Sequence, residues 1–80
     1  DVGDWIVDGG MTIRDLNRAT DWNLPDEEAN TVAGLVIHEA QTIPEPGQVF
    51  TFYGYRFEIL RKNRNRLTSQ IYLQRYWQRN

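Results

Sequence analysis

Asn30-Thr31-Val32-Ala33-Gly34-Leu35-Val36-Ile37 runs on into Pro44-Glu45-Pro46-Gly47 and then Phe50-Thr51-Phe52. The first piece is small and apolar behind a capping side chain, as a buried helix start requires. Asn30 or Thr31 caps it, and it extends to about Gln41. Val32, Ala33, Leu35, Val36, Ile37 and Ala40 leave it apolar over most of its circumference. Gly34 costs about 1 kcal/mol there relative to Ala, which predicts close approach of another backbone. Pro44 ends the helix, because proline lacks the N–H that would continue it. Beyond the turn, Phe50 and Phe52 alternate with Thr51, the period of a half-buried strand. No nucleophile, metal cluster or phosphate loop lies in this stretch, so it reads as structure before chemistry.

The reading extends in both directions. Upstream, Trp5-Ile6-Val7 is a short strand stopped by Asp8-Gly9-Gly10. Thr12 with Asp15 three residues later marks a helix N-terminus, with an oxygen to accept an N–H and a carboxylate at the positive end. That helix covers Ile13 to Thr20, with Ile13, Leu16 and Ala19 as its expected apolar face. Asp21 to Glu28 is a polar connection in which Trp22 and Leu24 are candidate anchors. Downstream, Tyr53-Gly54 has the spacing of a two-residue hairpin turn. Phe57 and Ile59 alternate with Arg56 and Glu58, and Leu67, Ser69, Ile71 and Leu73 alternate with Thr68, Gln70, Tyr72 and Gln74. Lys62 to Arg66 is the polar tip between these strands. The elements predict an α+β fold: a small antiparallel sheet, made of an N-terminal strand plus a C-terminal three-stranded meander, covered by two helices. Residues 1–74 form the domain and 75–80 a tail.

Eighty residues make one domain with a thin core. There is no cysteine, so neither a disulfide nor a thiolate zinc site exists. Large aromatic side chains, most of them at or beyond Phe50, supply the missing apolar surface. The net charge of −2 conceals a division: residues 1–40 carry nine acidic and two basic side chains, residues 41–80 two acidic and seven basic. Such polarity either draws the two ends of the chain together or sets a basic face beside an anionic partner. No apolar run is long enough to cross a membrane as a helix, and no signal peptide is visible. The chain opens at Asp1 without a methionine, directly in strand-like sequence, and reads as a domain of a longer protein.

The series Val7-Asp8-Gly9, Asp15-Leu16-Asn17, Thr31-Val32-Ala33-Gly34-Leu35, Pro44, Gly47, Gly54 and Tyr55-Arg56-Phe57-Glu58-Ile59 resembles the transporter-associated domain of the CorC/HlyC family. That domain is the C-terminal module of hemolysin-like, CBS-domain-containing proteins related to magnesium and cobalt efflux. The aromatic run from Phe50 to Tyr55 and the tail from Arg75 depart from the pattern. The resemblance implies a fold like the FAD-binding and transporter-associated domains, and a host with a membrane region and a CBS-domain pair. It implies a non-catalytic, regulatory role at the cytoplasmic face of the membrane, exerted through contacts with the rest of the polypeptide or with another copy. It transfers no catalytic, metal or cofactor-binding residue, and the fold likeness to flavin domains implies no cofactor.

Side chains able to carry chemistry here also have plainer roles. His38, the single histidine, lies late in the second helix beside Glu39, and neighbours one apart point to different faces. It reads as a surface residue or a cation near the negative helix end. Asp1, Asp4, Asp8, Asp26, Glu27 and Glu28 are the residues available to an acidic magnesium-sensing patch, although a solvated face accounts for them as well. Arg61, Lys62, Arg64 and Arg66, with Tyr72, Tyr76 and Trp77, have the composition of a single-strand nucleic-acid footprint. A charged hairpin tip that resists edge aggregation is the plainer account, and no nucleic-acid partner is expected. Gly9-Gly10 lacks the third glycine of a dinucleotide fingerprint. Ser69, the only serine, lies in a strand without a nucleophile-elbow context. The leading expectation is therefore an accessory module of an ion-transport protein. A small-ligand sensor for a divalent cation or adenine nucleotide is the second, and a nucleic-acid-binding module the third. The exposed aromatics near Tyr53 and Tyr55 and the basic tip from Arg61 to Arg66 are the candidate contact surfaces.

Overall fold

A computed structural model describes residues 4–62 and 69–75. The elements are β1 (Asp4–Asp8), α1 (Ile13–Thr20), α2 (Val32–Ala40), β2 (Val49–Phe52), β3 (Tyr55–Lys62) and β4 (Ser69–Arg75). All strand pairs are antiparallel, in the order β1-β4-β3-β2. The N-terminal strand thus joins the meander at its last strand and forms one edge of the sheet. Leu67 and Thr68, expected at the start of the last strand, lie outside the described residues. The strand continues through Arg75, which pairs with Tyr55 rather than opening a tail.

The alternation in the strands sorts the sheet into two faces. Val7, Ile71 and Ile59 make one cross-strand row of the inner face, and Leu73 and Phe57 lie in the next. Those five residues share a single buried cluster with Ile13 and Leu16 of α1, Val32, Ala33, Leu35 and Val36 of α2, and Trp22 and Leu24 of the connection. Both helices therefore cover the same face. Among the described residues, no helix lies on the other face.

α1 begins and ends where its caps dictate. The Thr12 hydroxyl accepts from the Asp15 N–H at 3.1 Å, and Asp21 closes the helix in the left-handed region at φ 65°. Its buried face differs from the expected one. Ile13 and Leu16 are fully buried, but Ala19 is exposed. A helix turns 100° per residue, so the inward stripe continues from Ile13 and Leu16 to Asn17 and Thr20, leaving Ala19 to one side.

Asn17 uses that inward position. Its amide donates to the Leu24 carbonyl and accepts from the Leu24 N–H, both at 2.9 Å. The side chain thereby replaces a strand partner for a segment that has none. It holds Trp22 and Leu24, 4% and 2% exposed, in the core. The Trp22 indole N–H finds no partner among the described residues. That omission costs about 1–3 kcal/mol. Burying an indole of roughly 200 Å² at about 25 cal/mol per Å² returns about 5 kcal/mol, so the packing prevails.

α2 carries its cap at Thr31, whose hydroxyl accepts from the Gly34 N–H at 3.1 Å. It ends at Ala40, with Gln41 left-handed at φ 61°, ahead of the prolines. The close neighbours of Gly34 are not the backbone of another element. A Cβ there would meet the Thr31 hydroxyl at 3.1 Å and the Ala29 Cβ at 3.3 Å. Glycine thus spares the cap and the loop before it.

The two helix starts are tied to each other. Thr12 and Thr31 form an antiparallel bridge. The Ile13 N–H donates to the Asn30 carbonyl at 2.8 Å, the Val32 N–H to the Met11 carbonyl at 3.0 Å and the Ala33 N–H to the Gly9 carbonyl at 2.9 Å. First-turn N–H groups have no partner within their own helix. Here each helix finds its partners in the segment that leads into the other.

Replacing Asn17 with Ala removes both anchors of Leu24 and leaves buried backbone groups unpaired. The expected loss of stability is about 2–3 kcal/mol. Urea unfolding should show a lower midpoint at unchanged slope.

Candidate functional site

The end of the sheet near the Tyr53-Gly54 turn concentrates aromatic and cationic side chains. Tyr53 and Gly54 both have positive φ, 59° and 84°, as a two-residue hairpin requires at both central positions. Such a backbone is ordinary for Gly54 and uncommon for a tyrosine. Tyr53 is exposed, and its hydroxyl donates to a Glu39 carboxylate oxygen on α2. The turn is thereby tied to the last part of the helix. Tyr55, on the inner face, stacks on Trp22 with ring centroids 4.5 Å apart. Arg75, beside Tyr55 in the register, places its guanidinium carbon 5.9 Å from the Trp22 ring centre. This distance is within reach of the attraction between a cation and an indole face. Tyr53, Gly54, Tyr55 and Arg75 line an open cleft of about 350 Å³.

A second, more polar cleft of about 530 Å³ lies beside α1, lined by Thr12, Arg14, Asp15, Arg18, Asp26 and Asn30. Arg14 stands 3.8 Å from Asp26, and Arg18 is 3.6 Å from Asp15. Both pairs are well exposed, so they set local charge and add little stability.

The acidic residues singled out from the sequence do not converge. Asp4 and Asp8 lie on the β1 edge, where Asp4 accepts from the Tyr72 hydroxyl at 3.2 Å and Asp8 from the Gly10 N–H at 2.9 Å. Asp26, Glu27 and Glu28 belong to the connection before α2, and Asp1 is outside the described residues. Among the described residues, no group of three or more His, Asp or Glu side chains is arranged to hold a metal ion. His38 is exposed in the last turn of α2, and its Nε2 lies 4.0 Å from a Glu28 oxygen. Of the basic tip, Arg61 is an exposed residue of β3. Arg64, Arg66, Tyr76 and Trp77 lie outside the described residues, as does the side chain of Lys62.

Arg75 is the member of the aromatic cluster that the sequence reading assigned elsewhere. The signal for it was present: Ile71, Leu73 and Arg75 continue one alternation, which carries Arg75 onto the face of Leu73. The pairing of Trp22 with Tyr55 joins residues far apart in the chain and has no local signature.

Two tyrosines have altered acidity. The hydrogen bond to Glu39 holds the Tyr53 hydroxyl above the ordinary tyrosine range; desolvation and the charges of Glu39, Glu28 and Glu27 add to this. Tyr72 is raised first by desolvation, then by its bond to Asp4. A raised phenol means that the fold favours the protonated form. The tie to Glu39 is therefore complete below the ordinary tyrosine pKa and is lost as pH rises through the raised value. In a phenolate absorbance titration, Glu39→Gln should move the titration of one tyrosine down toward the ordinary value; an unchanged curve would contradict the tie.

The fold recurs in known proteins. A family model described as the transporter associated domain, CorC_HlyC, matches residues 1–70. The inner membrane protein YfjD of Escherichia coli is 34% identical over 58 residues, which make up 72% of this chain and 14% of YfjD. The magnesium and cobalt efflux protein CorC of Escherichia coli is 30% identical over 63 residues, 79% of this chain and 22% of CorC. The chain thus spans less than a quarter of either relative. A transporter associated domain from a Xylella fastidiosa hemolysin, solved in complex with Mg++ and Mn++, superposes with a TM-score of 0.74 at 28% identity, covering 90% of this chain and 86% of that one. With its four-stranded antiparallel sheet, its two helices on one face and a family match over residues 1–70, this chain belongs to the CorC_HlyC transporter associated domain family.

Proposed function

We propose that this domain is a non-catalytic accessory module of a membrane ion-transport protein, and that it tunes divalent-cation efflux through contacts with the rest of its polypeptide. The observation that carries the reading is one of proportion. The family model takes in residues 1–70 of this chain, while the same chain spans only 14% to 22% of YfjD and CorC. A unit that small, found within larger proteins named for membrane location and cation efflux, is suited to regulate rather than to conduct. No helix among the described residues is long and apolar enough to cross a membrane. In this reading the membrane region and a CBS-domain pair are its partners, and it works at the cytoplasmic face.

The use of polar side chains agrees with such a role. Thr12, Thr31, Asn17 and Asp8 are engaged in caps and backbone ties. They stiffen the domain and leave contact surfaces as its means of acting. A second reading, direct sensing of a divalent cation, is favoured by the Xylella fastidiosa domain solved with Mg++ and Mn++. In this chain such sensing would need ligands brought together on binding, or waters around one or two carboxylates.

One pair of experiments separates the readings. Deleting this domain from its host should change the rate of magnesium or cobalt efflux without abolishing it. A host whose efflux is indifferent to the deletion would contradict the accessory role. Thermal melting of the domain with millimolar Mg²⁺, Mn²⁺ or Co²⁺ should leave the Tm unmoved under the first reading and raise it under the second, since a ligand that prefers the folded state stabilises it.

A further inference from the structure

The helix-free face of the sheet has a pattern that the core does not require. Read across the strands by register, its central row is Ile6, Tyr72, Glu58 and Val49. On one side of that row Gln74 lies beside Arg56, and on the other Gln70 lies beside Arg61. The two ends of the central row are apolar and open, Ile6 at 62% and Val49 at 43% exposure. Asp4 and Asp8 stand at the two ends of β1, on the same face as Ile6 by alternation.

We propose that this face docks on the same face of a second copy, across a two-fold axis that lies between the sheets and runs along the strands. Rotation about that axis exchanges the positions of β1 and β2, and of β4 and β3, and leaves each row at its own height. Ile6 then meets Val49 of the second copy, an apolar contact made twice. Gln74 meets Arg56 and Gln70 meets Arg61, so an amide faces each guanidinium, and Thr51 meets Asp4. Tyr72, whose hydroxyl is given to Asp4 of its own copy, meets Glu58, which is paired with Arg56 of its own copy. No two like charges are opposed.

The alternatives fail on charge. A two-fold axis in the same plane but perpendicular to the strands reverses the rows, setting Asp4 over Asp8 and Arg56 over Arg61. Antiparallel pairing of two β1 edges centred on Ile6 also brings Asp4 against Asp8. Like charges placed directly opposite are destabilising. Of these three arrangements the strand-parallel one opposes no like charges, and it keeps the strands within about 30° of alignment, as packed sheets prefer.

The contact is small. Four strands of about five residues give a footprint of roughly 300 Å² per copy. A stable interface uses about 800 Å² per partner. Two free domains therefore associate weakly, and the face becomes effective when a host holds two copies at millimolar effective concentration. The inference goes beyond the accessory role and does not depend on what the host transports.

Covalent trapping tests it. The chain has no cysteine, so Ile6→Cys and Val49→Cys introduce the only thiols. In one chain the two positions are three strand spacings apart, about 14 Å, and a thiol-to-thiol linker of about 8 Å does not bridge them. At millimolar protein, the double variant should give a covalent dimer with that linker, as should a mixture of the two single variants. Each single variant alone should give none above background. Failure of both the double variant and the mixture would overturn the proposal, as would a dimer formed by Ile6→Cys alone. Sedimentation of the unmodified chain supplies a readout that needs no thiol. Its sedimentation coefficient should rise with concentration into the millimolar range, and Val49→Asp should abolish the rise. A concentration-independent coefficient, or a longer host chain in which another segment shields the face and copies do not cross-link, would also overturn it.

Discussion

The fold depends on two helix starts that complete each other. Each α-helix begins with backbone N–H groups that have no partner within it. Placed at a protein's interior, they would cost about 1–3 kcal/mol apiece. In α2 the first three are met by the Met11 carbonyl, the Gly9 carbonyl and the Thr31 hydroxyl. In α1 the first is met by the Asn30 carbonyl and the third by the Thr12 hydroxyl. The β1–α1 turn therefore caps the second helix, and the segment before the second helix caps the first. Neither can shift along the sheet without uncovering the other.

That constraint explains why so small a domain manages with a one-sided sheet. The helices are bound to each other and to the end of β1, so their apolar stripes converge on one face. Val7, Phe57, Ile59, Ile71 and Leu73 are then covered together by residues of α1, α2 and the Trp22–Leu24 segment. Asn17 completes the cover where no helix reaches. The opposite face carries no share of the core and is left to alternate apolar, amide and charged side chains. The uneven charge of the sequence also finds its place: Asp4 and Asp8 line the β1 edge, while Arg56 and Arg61 come from the middle of the sheet. Among the described residues the polar side chains of Thr12, Thr31 and Asn17 serve caps and backbone ties, and the chain matches a small part of larger proteins.

Much of this was legible in the chain because the signals are local. Thr12, the α1 boundaries, the Tyr53-Gly54 hairpin and the alternation in the strands all follow from neighbouring residues. So does the family series, which fastens on the same turns and caps. Other features were hidden for equally physical reasons. The exposure of Ala19 follows from a period of 3.6 rather than 3, which an eight-residue helix hardly reveals. Gly34 signalled a tight place correctly, but its neighbours proved to be the Thr31 cap and Ala29. Arg75 was assigned to a tail because a basic, aromatic end resembles a solvated one, although its alternation with Leu73 kept it in register. The tie between Thr12 and Thr31 joins segments nineteen residues apart through the backbone, where side-chain identity leaves almost no trace. The candidate surfaces were legible as residue types, not as places: Tyr53 and Tyr55 were named together, yet one is held by α2 and the other by Trp22.

Native-state hydrogen exchange of the helix starts tests the interlock most directly. First-turn amides of an ordinary helix exchange through fraying, far faster than the core. If the two starts complete each other, the Ile13, Val32 and Ala33 amides will exchange only with the opening that also releases the protected amides of β3 and β4. Exchange of these three at the rate of free helix ends, while those strands remain protected, would contradict the account.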